Sequence, residues 1–211
     1  FIFVLGCEYV RSHYNRAKTA LKSLDDTLLS IPFQPDLKEP VPAKAPNAPT
    51  AALIARDFTY RYVAEHTSLD LPVPYAARSL WAGQEGSLLL WLVILSAYGA
   101  AFLFAYRKRL DPFYDAVAMV IASVMVFFTS LLAFVCSPFR ILAVPAPSGV
   151  GLNPLLQDPG MIIHPPTLYT GYVGFVVPFG FAMAVLLMNR TGTRWIEEVR
   201  RWTLFCWMFL G

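Results

Sequence analysis

"SLLLWLVILSAYGAAFLFAY", residues 87–106, runs for twenty residues without a charged side chain. About 20 consecutive apolar residues in a helix cross a hydrocarbon core, so this stretch reads as a complete membrane span. A lone apolar segment must be helical there, because no water is present to satisfy its backbone N–H and C=O groups. A second span follows in "DAVAMVIASVMVFFTSLLAFVC", residues 115–136, whose one acid, Asp115, lies at its edge. A third runs from about Pro165 to Asn189, and apolar runs at 1–7 and 202–211 read as partial spans. The expected fold class is all-α, a polytopic transmembrane helical bundle with extracytoplasmic loops. Its expected parts are the end of a transmembrane helix at 1–7, an outer loop with a Pro-rich insertion at 8–86, and a transmembrane region at 87–211. That last region includes an outer His-Pro-Pro loop at 137–165.

Composition supports this outward from the spans. Of 211 residues, 56% are hydrophobic and 15% charged, and the apolar residues form continuous blocks, which excludes an ordinary soluble domain. The lipid bilayer is the expected environment, and no nucleic-acid partner is expected. Phe1 opens inside an apolar run without an initiator Met, and Gly211 closes inside "WTLFCWMFLG". The chain is therefore expected to be a piece of a longer one. No charged n-region or cleavage site marks a signal peptide.

Short loops set the orientation. "YRKRLDP" (106–112) carries three basic residues against one acid, and "NRTGTRWIEEVRR" (189–201) four against two. Both belong on the cytoplasmic side by the positive-inside rule. Alternation then puts 8–86 and 137–164 outside. Within the first of these, residues 31–50 hold six prolines, which forbid a continuous helix and suggest an extended connector. Residues 12–30 read as a short amphipathic surface helix.

Cys7, Cys136 and Cys206 are isolated, with no C-x-x-C and no C-x-x-C-H. Structural zinc through thiols and covalently attached haem are thereby excluded. A Cys7–Cys136 disulfide is geometrically conceivable, since both lie near outer membrane ends, although an apolar cysteine is usually a small core residue. Of three histidines, His13 lies among polar residues, and His66, in "YRYVAEHTSLDLP", reads as a surface residue that could reach an outer site. His164 is set apart by the two prolines after it. Pro165 disfavours helical geometry at the preceding residue and suits a first helical turn, so a helix is expected to begin just after an extended His164.

Upstream, "NP" at 153 and "DPG" at 158–160 are turn signals. Leu155, Leu156, Met161, Ile162 and Ile163 give this outer loop an unusual apolar density. They either pack on the rest of the protein or wall an apolar cofactor pocket. Gly171, Gly174 and Gly180 should let helices approach closely, and Pro178 should kink the third span.

"LWAGQEGSLLLW" (80–91) followed by "LNPLLQDPGMIIHPPTLYTGYVGFVVPF" (152–179) closely resembles the CcmF/NrfE-type cytochrome c haem lyase family, over about residues 55–211. The resemblance implies that His164 is the metal-ligating and cofactor-binding residue, an axial ligand to b-type haem on the outer face. It implies delivery by the haem chaperone CcmE and thioether formation with apocytochrome c, which a CcmH-type thiol-handling partner presents. It also implies a tryptophan-rich loop and further haem ligands beyond Gly211, and location in the bacterial inner membrane. No catalytic residue is assigned in this stretch; Glu85, at a span entrance, is as readily a structural cap. Residues 8–50 depart from the family pattern and read as an insertion. An NrfE-type specialised lyase, a transporter and a purely structural membrane subunit are the alternatives. A transporter should show ionisable residues within its spans, and a structural subunit gives no reason for the His-Pro-Pro step.

Overall fold

The computed structural model describes residues 49–190 and 192–210. Cys7, His13, the helix expected at 12–30 and nearly all of the Pro-rich connector lie outside the described residues. Those residues are helical and contain no strand, only one isolated antiparallel bridge between Tyr60 and Ile141. The helices are α1 (Pro49–Ala55), α2 (Arg61–His66), α3 (Val73–Arg78), α4 (Gln84–Tyr106), α5 (Pro112–Phe134), α6 (Gly160–Gly174), α7 (Val176–Leu187) and α8 (Arg194–Leu210). Among the described residues, three stretches are long and apolar enough to cross a membrane: α4 and α5, at 23 residues each, and the 28 residues Gly160–Leu187 that hold α6 and α7.

The second and third of these begin earlier than the apolar count suggests, and by the same device. Asp111 and Asp158 each precede a proline, and each accepts an N–H two residues on with its carboxylate, from Phe113 at 3.0 Å and Gly160 at 2.7 Å. An aspartate cap followed by a proline with preset φ is a helix start. "DPG" at 158–160 is thus a helix entrance, not only a turn.

One compact unit comprises 94–126 with 171–210. Its core is aromatic and aliphatic: Phe102, Phe113, Val117, Ile121, Val177 and Phe181 are all almost fully buried. The Phe181 ring meets Phe102, Tyr106 and Phe113 edge-on, each with centroids 5.8 Å apart. Small residues make the approach possible, as expected. A Cβ on Gly171 would come within 2.8 Å of the Cys206 carbonyl, and one on Gly174 within 2.5 Å of both the Cys206 sulfur and the Tyr98 hydroxyl. In lipid, helix association depends on such contacts because the hydrophobic effect no longer discriminates. The break between α6 and α7 falls at Phe175. Pro178 clashes with the carbonyl four residues back, that of Gly174, so the kink lies one turn upstream of the proline that causes it. α7 ends in a left-handed Asn189 at φ 47°, with Asn189 N–H donating to Leu186 O and Arg190 N–H to Val185 O, which satisfies two terminal carbonyls.

The other unit comprises the described part of 32–93, from residue 49, with 127–170. Here α1, α2 and the segment before α6 build a small core from Leu53, Phe58, Tyr60, Tyr62 and Val63, with Ile141 and Leu142 packed on it. Backbone bonds tie the two sequence regions together: Arg61 N–H to Arg140 O, Leu142 N–H to Thr59 O, and Val150 N–H to Ala64 O. Buried Thr67 is fully satisfied. Its hydroxyl donates to Val63 O at 2.7 Å and its carbonyl accepts the Gly151 N–H at 3.0 Å, as a buried polar group requires.

Candidate functional site

The site grows from the turn before α6. Asn153 accepts the Leu155 N–H at 3.0 Å, Pro154–Gln157 forms a short 3-10 helix, and the Gln157 amide returns to Leu152 O at 3.1 Å. Asp158 then opens α6, whose first residues also make tight i+3 bonds, Met161 N–H to Asp158 O and Ile162 N–H to Pro159 O. His164 therefore stands in the second turn of α6, with Pro165 and Pro166 inside the helix.

This corrects the expectation that the helix begins after an extended His164. The local rule that disfavours helical geometry before proline is real, but it is a preference that packing can overcome. Two prolines remove the N–H groups that would reach the Met161 and Ile162 carbonyls at i−4. The Met161 carbonyl accepts instead from the Trp81 indole, Nε1 at 3.3 Å, across 80 residues of sequence. Further along α6, the hydroxyls of Thr167 and Thr170 donate to Ile163 O and Pro166 O, each at 2.7 Å. Trp81 was quoted in the sequence motif but given no role. The signal was available in the proline pair, which leaves carbonyls wanting a donor, but not the identity of that donor.

The His164 side chain is exposed. Its neighbours divide the apolar loop residues in two. Leu156 packs with Leu71, Ala76 and Leu152 in a second small core, and Met161 and Ile162 are half-buried. Ile163 is 69% exposed and Leu155 77%. Packing thus accounts for part of the apolar density, and Leu155 and Ile163 remain exposed.

His66 is not a simple surface histidine. It is half-buried and stacked on Tyr62, ring centroids 4.3 Å apart. Its Nδ1 lies 2.9 Å from the Tyr62 carbonyl. A carbonyl only accepts, so this nitrogen is the donor. Nε2 faces Gly83, where an added Cβ would come within 2.6 Å of it. The Tyr62 hydroxyl is enclosed by backbone, 2.9 Å from Ser79 O and 3.0 Å from Leu80 O, and it accepts the Gly83 N–H at 3.0 Å. Burial raises its pKa above the ordinary tyrosine value. Glu85 stands in the first turn of α4, where a carboxylate is favoured by the helix dipole.

Among the described residues, no group of three or more His, Cys, Asp or Glu could hold a metal ion. His164 presents a single exposed imidazole, a donor that suits an iron whose other ligands are supplied by a porphyrin. Cys136 is half-buried, with the Gln84 amide 4.0 Å from its sulfur.

These features define a polytopic helical membrane protein with an exposed histidine on the entering turns of a span. The family model described as "Cytochrome C assembly protein" matches residues 81–211, and the chain belongs to that family. It is 44% identical over 161 residues to the cytochrome c-type biogenesis protein CcmF of Escherichia coli K12, covering 75% of this chain and 25% of the relative. It is 42% identical over 156 residues to the biogenesis protein NrfE of Haemophilus influenzae, covering 73% and 24%. The solved structure of the cytochrome c heme lyase CcmF superposes with a TM-score of 0.63 at 35% identity, over 76% of this chain and 25% of that one. The chain spans about a quarter of the length of these relatives.

Proposed function

We propose that this chain is part of a cytochrome c haem lyase and presents b-type haem, through His164, at the outer face of the bacterial inner membrane. The observation that carries the reading is the exposed His164 imidazole on α6, in a stretch that also exposes Leu155 and Ile163 and is matched by cytochrome c biogenesis relatives. The basic loops at 106–112 and 189–201 support placing this end of the span outside.

Bound haem supplies a Lewis-acidic iron and the vinyl groups to which cysteine thiols add. The chain's own residues position it. His164 would hold the iron, and the exposed Ile163 and Leu155 would offer apolar surface to the ring. No residue here is assigned as acid or base. Haem would arrive from a CcmE-type chaperone, and the acceptor would be an apocytochrome c presented by a CcmH-type partner. Near-equal identity to CcmF and NrfE relatives leaves general and specialised maturation equally served by this stretch.

The test is His164→Ala in the intact protein. The variant should insert normally, since an exposed side chain contributes little to packing, while holocytochrome formation by haem stain should fall at least about tenfold, the scale on which lost metal-site groups act. Added imidazole should restore part of it. Normal maturation by the alanine variant would refute the ligand assignment.

A further inference from the structure

The relationship between Trp81 and the proline pair assigns a role to a residue outside the ligand itself. Pro165 cannot donate to the Met161 carbonyl, and Trp81 Nε1 lies 3.3 Å from that oxygen. Met161 is three residues before His164, so the two lie on the same side of α6, one turn apart. Trp81 is itself anchored. It belongs to the 3-10 turn Ser79–Trp81, where the Ser79 hydroxyl lies 2.9 Å from the His66 carbonyl and the Ser79 carbonyl accepts the Tyr62 hydroxyl. The Trp81 carbonyl accepts from the Ser87 hydroxyl at 3.2 Å, at the start of α4. The first turn of α6 is thus held by a side chain fixed at the entrance of another span, at the point where its own ladder is broken.

We infer that Trp81 is a positioning residue for His164: its indole N–H replaces the donor that Pro165 lacks and fixes the turn of α6 from which the imidazole projects. A helix without that i+4 bond is free to unwind at its first turn, which would move the imidazole relative to any group it ligates. The prolines prevent α6 from closing this bond alone and so make His164 placement depend on the segment 79–83. This rests on the proposed haem ligation at His164 for its consequence, and on the hydrogen bond for its cause.

The test is a double-mutant cycle in the intact protein with Trp81→Phe, which keeps a ring and removes the donor, and Pro165→Ala, which returns a backbone N–H to the Met161 carbonyl. Trp81→Phe alone should lower holocytochrome yield by about threefold to tenfold, the range of one hydrogen bond, and shift the visible spectrum of bound haem. With Pro165→Ala also present, both effects of Trp81→Phe should largely disappear. Equal damage in both backgrounds would overturn the inference. Thermal midpoints of the same four proteins without haem read the coupling separately. Coupling in the midpoints, with His164→Ala leaving the haem spectrum unchanged, would overturn the ligand reading but keep the Trp81–Pro165 pairing. Additive midpoints would overturn the pairing itself.

Discussion

The Tyr62 hydroxyl accepts the Gly83 N–H at 3.0 Å while its ring stacks on His66, so one side chain joins α2 to the entrance of α4. Tyr62→Phe keeps the stack and removes the oxygen. With the Gly83 N–H left without its acceptor, stability should fall by about 1–3 kcal/mol, read from the thermal midpoint in detergent. The pH dependence follows from the raised pKa, whose main cause is burial and which the Gly83 hydrogen bond partly offsets. The unfolded tyrosine ionises first, near 10.0, so the hydroxyl's contribution is whole below that pH and fades as pH rises above it. The phenylalanine variant should therefore lose less stability than the parent between about pH 10 and pH 12.

At Gly174 the limit is space. A Cβ there would fall 2.5 Å from both the Cys206 sulfur and the Tyr98 hydroxyl. Gly174→Leu should cost more than the roughly 1–3 kcal/mol typical of an overpacked core, seen as a lower melting temperature and reduced yield of folded protein. A variant as stable as the parent would show that α6 and α8 do not pack as described.

Asp158→Ala removes the carboxylate that receives the Gly160 N–H at 2.7 Å. The expected cost is about 0.5–2 kcal/mol. Hydrogen exchange should rise at the amides of 160–163 and remain unchanged in α5. Exchange unchanged at 160–163 would mean that the helix does not start at this cap.

Membrane orientation is tested with single cysteines at Ser148 and Thr193, both exposed, in a cysteine-free background. An impermeant thiol reagent applied from outside should label the first and spare the second. The opposite pattern would reverse the topology and place His164 on the cytoplasmic side.

The sequence by itself determined the helical spans. Runs of about 20 apolar residues have one stable form in lipid, and they recur in α4, α5 and the α6–α7 pair. It also gave the small-residue packing at Gly171, Gly174 and Gly180, the break caused by Pro178, and the family, because those signals are local or are carried by contiguous motifs. Tertiary structure alone decided how α6 continues through its proline pair. Read locally, the two prolines say that His164 is extended and outweigh the Asp158 cap six residues earlier, itself a local signal; in the fold, Trp81 donates to the Met161 carbonyl from 80 positions away, and the helix runs through. The same holds for His66, which reads in the sequence as a surface residue of the outer loop and which Tyr62 and Gly83 instead half-bury. A preference for one backbone region before proline is a local energy. It yields when a distant group supplies the hydrogen bond that the local sequence cannot make, and no neighbouring residue carries that information.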